Sequence, residues 1–448
     1  MSGGATELGT VDALTHEGEG IVHGGKTAFV AGALPGETIR FERVRRRKHH
    51  DEARLVEILT ASAERAVPRC VHFGACGGCS LQHLETERQI EVKRVELAEG
   101  LERIARTAPE RWLEPLRGPS WGYRRRARLG VRYVTKKGRV LVGFRERLFP
   151  RVVDTERCEV LAPPVGPLVG ALARAFMTLS IRERVPQIEV AVGENAAALV
   201  LRVLAPPSAG DRAQLEAFER DHGARVYLQP GGLDSVVRLT PAGASDPEEP
   251  LYYRLPQFDV RLEFAPTDFI QVNGAMNAAL VARAVELLEP AGDSRVLDLY
   301  CGLGNFTLPL ARRAGRVLGV EGDRGLVERA RHNAALNGIA NAEFIAADLS
   351  SPLPPDLPWL AGGFSHVFLD PPRAGASELL RTIARIGPAR VLYISCHPGT
   401  LARDVGCLVH EHGFALRAAG VLDMFPHTSH VESVALLTPG APRRQGAR

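Results

Sequence analysis

The sequence predicts an α/β protein that begins with a small β-rich unit and ends in a parallel sheet covered by helices. From Asn277 onward, apolar strand segments alternate with helical segments, and this alternation specifies a parallel sheet with helices on both faces. Residues 8–60 contain five short strand segments punctuated by glycine, which is typical of a small barrel. The chain has 448 residues, enough for more than one domain.

Composition excludes several classes of protein. The hydrophobic fraction is 45% and the charged fraction 24%, which is ordinary for a globular chain and unlike a disordered or collagenous one. No apolar run approaches the roughly 18 residues that a membrane span needs, and Met1 to Thr10 lack the basic start and apolar stretch of a signal peptide. We therefore expect a cytoplasmic protein without a membrane partner, and nothing in the sequence implies a protein partner.

The first two thirds of the chain predict several different elements. The five amino-terminal strands are expected at 11–14, 18–22, 27–30, 36–41 and 53–59. A cysteine-rich loop at 70–79 and a charged helix from about Glu85 to Ile104 follow. Residues 120–270 are expected to be β-rich and irregular, with strands at 188–192, 198–203, 226–229 and 236–239.

The carboxyl-terminal third is more regular. Helices are expected to Leu288 and at 307–314, 325–337 and 400–412. Strands are expected at 295–299, 316–320, 343–346, 366–369, 390–395, 414–421 and 431–437. In sheets of this kind ligands bind at the carboxyl ends of the strands, so the residues that follow each strand are the candidates for a site.

Basic residues concentrate in two windows. Residues 40–54 hold seven cations and three anions, a net charge of +4, and residues 121–151 hold eleven cations and one anion, a net charge of +10. Because the whole chain carries only +4, the remainder sums to −10. Such segregation indicates a surface that binds a polyanion, although one or two solvated arginine-rich hairpins would give the same pattern.

The first strand of the regular region leads into a glycine turn. Asp298 precedes Tyr300-Cys301-Gly302-Leu303-Gly304-Asn305, and Thr307 stands where a dinucleotide fingerprint would have its third glycine or alanine. Glu321 ends the second strand, where a carboxylate can accept hydrogen bonds from the hydroxyls of a ribose, and Asp348 follows the third strand. This arrangement resembles the class I methyltransferase fold, which implies an S-adenosylmethionine site, with a generic nucleotide-binding sheet as the alternative.

A cysteine and two acids follow the later strands. Asp370-Pro371-Pro372-Arg373 follows the fourth strand, Cys396 the fifth, and Glu432 lies near the start of the last. C5 of uracil becomes nucleophilic when a thiolate adds to C6, and a carboxylate can then remove the C5 proton. Considered alone, Cys396 could be a core cysteine and Glu432 a solvated strand carboxylate. We expect Cys301 and Cys407 to be core residues. Taken together, Cys396 and Glu432 favour methylation of a carbon atom.

These residues together resemble the RumA/TrmA family of RNA (uracil-5-)-methyltransferases over nearly the whole chain. The resemblance implies that Cys396 is the nucleophile and Glu432 the general base. It also implies S-adenosylmethionine contacts from Gln271, Tyr300, Asn305, Glu321, Asp348 and Asp370. The chain departs from the family pattern at Tyr300, Pro372 and His397, where Phe, Ala and Asn are expected.

Four cysteines form a second candidate site. Cys70, Cys76 and Cys79 form a C-x5-C-x2-C pattern, and Cys158 is the other cysteine before the regular region. Without a signal peptide, four such thiols indicate a metal, and the spacing fits zinc or a 4Fe-4S cluster equally. The family resemblance implies a 4Fe-4S cluster, with zinc as the lesser alternative.

The resemblance implies three domains. These are a TRAM-like, OB-like RNA-binding β-barrel at 1–62, a central RNA-binding domain with the iron-sulfur loop at 63–270, and a Rossmann-like S-adenosylmethionine-dependent methyltransferase domain at 271–448. In the second basic window Trp121, Tyr123, Tyr133 and Phe144 are expected to offer stacking surfaces for bases.

The implied reaction is 5-methyluridine formation in RNA, on a uridine flipped out of a loop. A TRAM domain combined with the cysteine loop favours 23S rRNA as the substrate. The alternatives are methylation of the tRNA T-loop, a non-catalytic iron-sulfur protein that binds RNA and, more distantly, a nicotinamide oxidoreductase.

Overall fold

The structure is a computed structural model that describes residues 6–147, 149–239 and 249–440. The first five residues of the predicted domain 1–62 and the last eight of the predicted domain 271–448 therefore lie outside the described residues. None of the described helices has the length and apolar character needed to cross a membrane.

The amino-terminal unit is a six-stranded sheet. Its strands are β1 (Glu7–Thr10), β2 (Ala13–Leu14), β3 (Glu19–Val22), β4 (Ala28–Ala31), β5 (Thr38–Arg46) and β6 (Asp51–Thr60). The spatial order is β1-β5-β6-β4-β3-β2. Only two residues separate β1 from β2 in the chain, yet these strands form opposite edges, so the sheet curls round until its edges nearly meet. The predicted strand at 11–14 is thus a short connection followed by β2, because Val11 and Asp12 bridge the two edges.

The middle of the chain contains a second six-stranded sheet, which is covered by two helices. The elements of this region, in chain order, are α1 (Thr86–Arg103), β7 (Arg111–Trp112), β8 (Arg126–Val134), β9 (Arg139–Gly143), α2 (Val165–Met177), β10 (Gln187–Val192), β11 (Ala197–Arg202), α3 (Ala209–His222), β12 (Ala224–Gln229) and β13 (Val237–Arg238). Helix α1 and strand β7 do not belong to this sheet. The strand order is β13-β12-β11-β10-β8-β9, and α2 and α3 share one buried core with it.

The expectation of an irregular, β-rich middle region was wrong in one respect, because it left out α2 and α3. Helix α3 carried a readable signal: Ser208 accepts a hydrogen bond from the Asp211 amide, and the Asp211 carboxylate accepts one from the Ser208 amide. Helix α2 is almost wholly apolar and carries Gly166, Pro167 and Gly170, residues of low helix propensity, so its composition gave little indication of a helix.

The carboxyl-terminal part follows the predicted alternation closely. Its elements are β14 (Leu251–Leu255), β15 (Val260–Phe264), α4 (Gly274–Leu288), β16 (Arg295–Leu299), α5 (Thr307–Ala311), β17 (Arg316–Glu321), α6 (Arg324–Leu336), β18 (Ala342–Ala346), β19 (His366–Leu369), α7 (Leu380–Ile386), β20 (Arg390–Ser395), α8 (Pro398–His410), β21 (Phe414–Leu422) and β22 (Glu432–Pro439). They build an eight-stranded sheet with the order β18-β17-β16-β19-β20-β22-β21-β7. Strands β16 to β20 are parallel to one another, and β22 is antiparallel to both β20 and β21.

Three elements that precede residue 271 pack against this sheet. Helix α1 shares a core with it through Ile90, Leu97 and Leu101, the β14–β15 hairpin packs on its other side, and β7 extends it beyond β21. The domain limits stay a prediction, but the packing of the eight-stranded sheet begins well before residue 271.

Candidate active site

The glycine turn after β16 leaves an open space at the carboxyl edge of the sheet. Tyr300, Gly302 and Gly304 have φ values of 65°, 54° and 96°, so the chain passes through the left-handed region three times within five residues. A Cβ atom added at Gly302 would meet no atom within 4 Å. The turn therefore presents bare backbone toward the edge, where a ligand can approach closely.

Two predicted acids lie at the ends of the neighbouring strands. The Glu321 carboxylate accepts hydrogen bonds from the Gly302 amide at 3.0 Å and from the Gly322 amide at 2.7 Å, which ties the end of β17 to the glycine turn. Asp348 is exposed and accepts hydrogen bonds from the Ser350 amide and hydroxyl, which lower the pKa of its carboxyl. Both acids are thus held where a ribose and a base could meet them.

The side chain of Asn305 is held by two residues that the sequence did not identify. Its amide oxygen accepts hydrogen bonds from the Tyr253 hydroxyl and the Asn277 side chain, both at 2.9 Å. Tyr253 lies on β14 and Asn277 on α4, so no local spacing links them to the glycine turn. Nearby, the Gln271 amide donates to the Asp370 carboxylate at 3.1 Å, and the Tyr300 hydroxyl donates to the Leu349 carbonyl at 3.2 Å.

Strand register brings Cys396 and Glu432 together. Strands β20 and β22 are antiparallel, and their last paired residues are Ser395 and Ser433. One step further along this register, Cys396 at the end of β20 lies opposite Glu432 at the start of β22. Glu432 is 3% exposed, whereas Cys396 is half-buried.

Three acidic groups at this point have raised pKa values, and burial is the largest cause in each case. Burial raises the pKa of the Cys396 thiol to about 11, and the charges of Glu432 and Asp370 contribute, while Arg373 opposes the shift. Burial, followed by the charge of Asp370, raises the pKa of Glu432 well above its usual value. Burial also raises the pKa of Asp370 to about 7. Since like charges at close range cannot all ionise, the site retains protons that a reaction can move.

Cys396 opens onto a groove that continues across the molecule. A cavity of about 470 Å³ is lined by Cys396, Arg373, His397 and His430. A second cavity, of about 820 Å³, is lined by residues of the amino-terminal sheet, the cysteine loop and the basic windows, including Arg45, Arg47, Arg124 and Arg147. Glu17, Ser429 and His430 line both cavities, so the two form one path from the amino-terminal sheet to Cys396.

The four cysteines of the second candidate site line one small cavity and form no disulfide. Burial raises the pKa of Cys76 to about 11 and that of Cys79 to about 12, and neighbouring cysteines contribute in both cases. Among the residues that the structure describes, three metal-ligating atoms lie within 4.8 Å of one another only at Cys407, Glu411 and His412.

Part of the second basic window is buried, so Tyr123 does not offer the stacking surface that the sequence predicted and Arg125 offers no phosphate contact. Arg125 is 8% exposed, stacks on the Tyr253 ring and donates to the Gln271 carbonyl. Tyr123 is 6% exposed and its hydroxyl donates to the Pro426 carbonyl. These side chains support the active-site segments instead. The exposed cations of this window are Arg128, Arg132, Lys136, Lys137, Arg139, Arg145 and Arg151.

Known proteins resemble the chain closely. The family model described as tRNA (Uracil-5-)-methyltransferase matches residues 254–352 and 358–439. The 23S rRNA (uracil(1939)-C(5))-methyltransferase RlmD of Alkalilimnicola ehrlichii is 53% identical over 428 residues, which cover 95% of each chain. The protein of the same name from Stenotrophomonas maltophilia strain K279a is 50% identical over 427 residues, covering 94% of this chain and 95% of its own.

A solved structure extends the similarity to the fold. The crystal structure of Pyrococcus abyssi tRNA (uracil-54, C5)-methyltransferase in complex with S-adenosyl-L-homocysteine has a TM-score of 0.74 and 27% sequence identity. The match covers 96% of this chain and 99% of that one. The alignment thus includes the amino-terminal and middle sheets as well as the catalytic one.

Proposed function

Because the chain belongs to the RlmD family of RNA (uracil-5-)-methyltransferases, we propose that it methylates C5 of one uridine in 23S rRNA, the counterpart of the uracil 1939 that its relatives' names give. It is an S-adenosylmethionine-dependent enzyme with the methyltransferase fold. The observation that carries the proposed mechanism is the register that sets Cys396 opposite Glu432.

In the proposed first step the Cys396 thiolate adds to C6 of the uracil ring. The new S–C6 bond moves an electron pair into the C5–C4–O4 system, which makes C5 nucleophilic. Since the Cys396 thiol has a raised pKa in the free protein, it needs a positive charge nearby to ionise. Arg373, which lines the same cavity, supplies one, and the sulfonium of S-adenosylmethionine supplies a second.

In the second step a C5–CH3 bond forms as the sulfonium loses its methyl group. C5 then carries both a methyl group and a proton. The Glu432 carboxylate accepts that proton, the C5–C6 double bond re-forms, and the S–C6 bond breaks to release Cys396 as thiolate. Burial suits Glu432 to this role because a carboxylate that is poorly solvated is a stronger base.

Six side chains are proposed to bind S-adenosylmethionine. The open backbone at Gly302 supports this role, as does the placement of the candidate side chains around it. Glu321 and Asp348 would accept hydrogen bonds from the ribose and adenine, and Asp370, held by Gln271, would face the sulfonium. Tyr300 and Asn305 would line the pocket, and Tyr253 and Asn277 fix the orientation of Asn305.

We propose that Cys70, Cys76, Cys79 and Cys158 hold a 4Fe-4S cluster. The four thiols line one cavity, as the ligands of a single cluster must, and the family resemblance favours the cluster over zinc, which stays the lesser alternative. The proposed reaction has no redox step, so the cluster would act by holding the loop 70–79. A brown protein with four irons per chain is expected, and stoichiometric zinc in an anaerobic preparation would refute this assignment.

The RNA path is proposed to follow the groove between the amino-terminal sheet and Cys396. Arg45, Arg47, Arg124 and Arg147 would contact phosphates along it, and the stacked rings of Phe29 and His50 lie in its wall. The curled sheet would serve as the TRAM-like barrel, and we place the enzyme in the cytoplasm with its rRNA substrate. Methylation of the tRNA T-loop is the second candidate, favoured by the Pyrococcus abyssi structure, but identity to the rRNA enzymes is about twice as high.

A trapping experiment tests the mechanism. RNA that carries 5-fluorouridine should form a methylated covalent complex with the protein, because fluorine at C5 cannot leave as a proton. The complex should be stable to denaturing electrophoresis and should be absent for Cys396→Ser. Turnover by the Cys396→Ser variant, or a complex linked through another residue, would refute the proposed role of Cys396.

A further inference from the structure

The segment Asp423–Val431 connects β21 to β22 and ends at Glu432, so its backbone sets where the proposed base lies. We call it the base segment. Its amino-terminal half is buried, with Asp423 at 4% exposure and His427 at 3%. His427 has a φ of 63°, a backbone conformation that costs a non-glycine residue about 1 kcal/mol or more. The base segment therefore needs external contacts to hold its shape.

Three consecutive carbonyls of the base segment accept hydrogen bonds from three different parts of the chain. The Phe425 carbonyl accepts from Lys93 at 3.0 Å, and the Pro426 carbonyl accepts from the Tyr123 hydroxyl at 3.0 Å. The His427 carbonyl accepts from the amides of Ser80 and Leu81, both at 2.9 Å. The segment is thus fixed by α1, by the second basic window and by the two residues that directly follow the cysteine loop.

Lys93 is the one charged donor among these contacts. It is 1% exposed, and its ammonium donates to the Asp423 carboxylate at 2.7 Å as well as to the Phe425 carbonyl. One turn earlier on α1, the Gln89 side chain accepts a hydrogen bond from the His427 amide at 2.9 Å. A buried ion pair is seldom more stable than apolar residues of the same size, so stability alone does not account for it. Its directional contacts, by contrast, fix two points of the base segment.

We propose that Lys93 is a positioning residue for Glu432, which it reaches through Asp423 and the Phe425 carbonyl. This inference rests on the proposed function. Lys93 lies on α1 and is not among the residues that line the groove leading to Cys396. Its loss should therefore affect the step that uses Glu432, removal of the C5 proton, and spare the earlier attack of Cys396 and methyl transfer.

The test compares these steps in Lys93→Met and wild type. The RNA substrate carries tritium at C5 of uridine, and the methyl donor carries carbon-14. Tritium release should fall about 30-fold, the scale expected when a catalytic group is displaced by a fraction of an ångström. Methyl transfer in the first turnover should stay within about 3-fold, so a methylated covalent complex should accumulate on denaturing gels. kcat/KM for RNA should not change, because the slowed step follows methyl transfer, so kcat and KM should fall together.

Arg94→Met is the matched control. Arg94 is the next residue on α1, is partly exposed and pairs with Glu91 of the same helix at 2.7 Å. This variant should release tritium at the wild-type rate. A Lys93→Met protein that loses methyl transfer and tritium release equally would show a general structural role and overturn the proposal.

A double variant keeps the inference testable if Lys93→Met folds poorly because Asp423 is left unpaired. Lys93→Met with Asp423→Leu removes both charges and should restore the thermal midpoint without restoring tritium release. Restored tritium release would mean that Lys93 only neutralises Asp423, which would overturn the inference. Absence of 5-methyluridine with the wild-type protein would instead refute the proposed function.

Discussion

Cys396 and Cys79 are both half-buried thiols, and burial raises both pKa values, to about 11 and about 12. Their neighbours differ. Cys396 ends a strand at the ligand edge of the sheet, where Glu432, Asp370 and Arg373 act on it. Cys79 lies in a loop where the other charges near it are Cys70, Cys76 and Cys158. The comparison teaches that burial does not distinguish the proposed catalytic thiol from the proposed metal ligand, whereas the groups around each thiol do.

The largest effect should come from Cys396→Ala. Without a thiolate, C5 of uracil is not activated, so turnover should fall by about 10⁴-fold or more. Iron content should not change, because Cys396 lines a different cavity from the four cysteines that are proposed to hold the cluster. Methyl incorporation and an iron assay on the same preparation provide the measurement. Cys407→Ala, on the adjacent helix α8, is the control and should keep activity; activity in Cys396→Ala would contradict the account.

Glu432→Gln should have the next largest effect. Turnover should fall by about 10³-fold because glutamine cannot accept the C5 proton, whereas attack by Cys396 should persist. The methylated covalent complex should therefore accumulate with ordinary uridine RNA, without fluorine. A variant that neither turns over nor forms the complex would place Glu432 before methyl transfer and exclude it as the base.

Cys79→Ser should separate the two sites. Loss of one cluster thiolate should abolish the brown colour and iron binding, because a serine hydroxyl is a poor iron ligand at neutral pH. Turnover should fall only about 10-fold, since Ser80 and Leu81 next to Cys79 help to hold the base segment. Iron content and kcat are measured on anaerobic protein. Unchanged iron content in this variant would remove Cys79 from the cluster.

The smallest effect concerns stability and its pH dependence. The pKa of Glu432 is raised in the folded protein above the ordinary value of about 4.3, so the folded state binds the proton more tightly than the unfolded state. The resulting stability is present below pH 4 and is lost as pH rises through the folded pKa. Glu432→Gln removes this loss and should unfold at a temperature about 2 °C higher than wild type at pH 8, with little difference at pH 4.5. A lower unfolding temperature for Glu432→Gln than for wild type at pH 8 would contradict the direction of the pKa shift of Glu432.

Most of the catalytic sheet was predictable because its signals are local. Apolar segments such as 295–299 and 390–395 end at glycine, acidic or cysteine residues, and the structure has strands with these bounds. The methyltransferase fold is confirmed, whereas the barrel family, the cluster and the individual site roles stay predictions. Cys396 and Glu432 could be chosen as candidates because each lies at the end of a strand. The antiparallel register of β20 and β22 brings these two strand ends together.

What the sequence could not predict depends on distant contacts. Tyr253 holds Asn305 from a hairpin some 50 residues earlier, and Arg125 is buried against Tyr253 although it belongs to a run of consecutive cations in the sequence. Strand β7 has only two residues and exists because it pairs with β21. Lys93 belongs to a charged helix and gave no sign that it would be buried against Asp423.

Direct mapping of 5-methyluridine tests the central claim. The protein and S-adenosylmethionine are incubated anaerobically with unmodified 23S rRNA and, separately, with unmodified tRNA, and both are analysed by mass spectrometry. The account predicts one new 5-methyluridine in the rRNA, at the counterpart of uracil 1939, and none in the tRNA. Methylation of tRNA alone would overturn the substrate assignment, and no product on either RNA would contradict the proposed function.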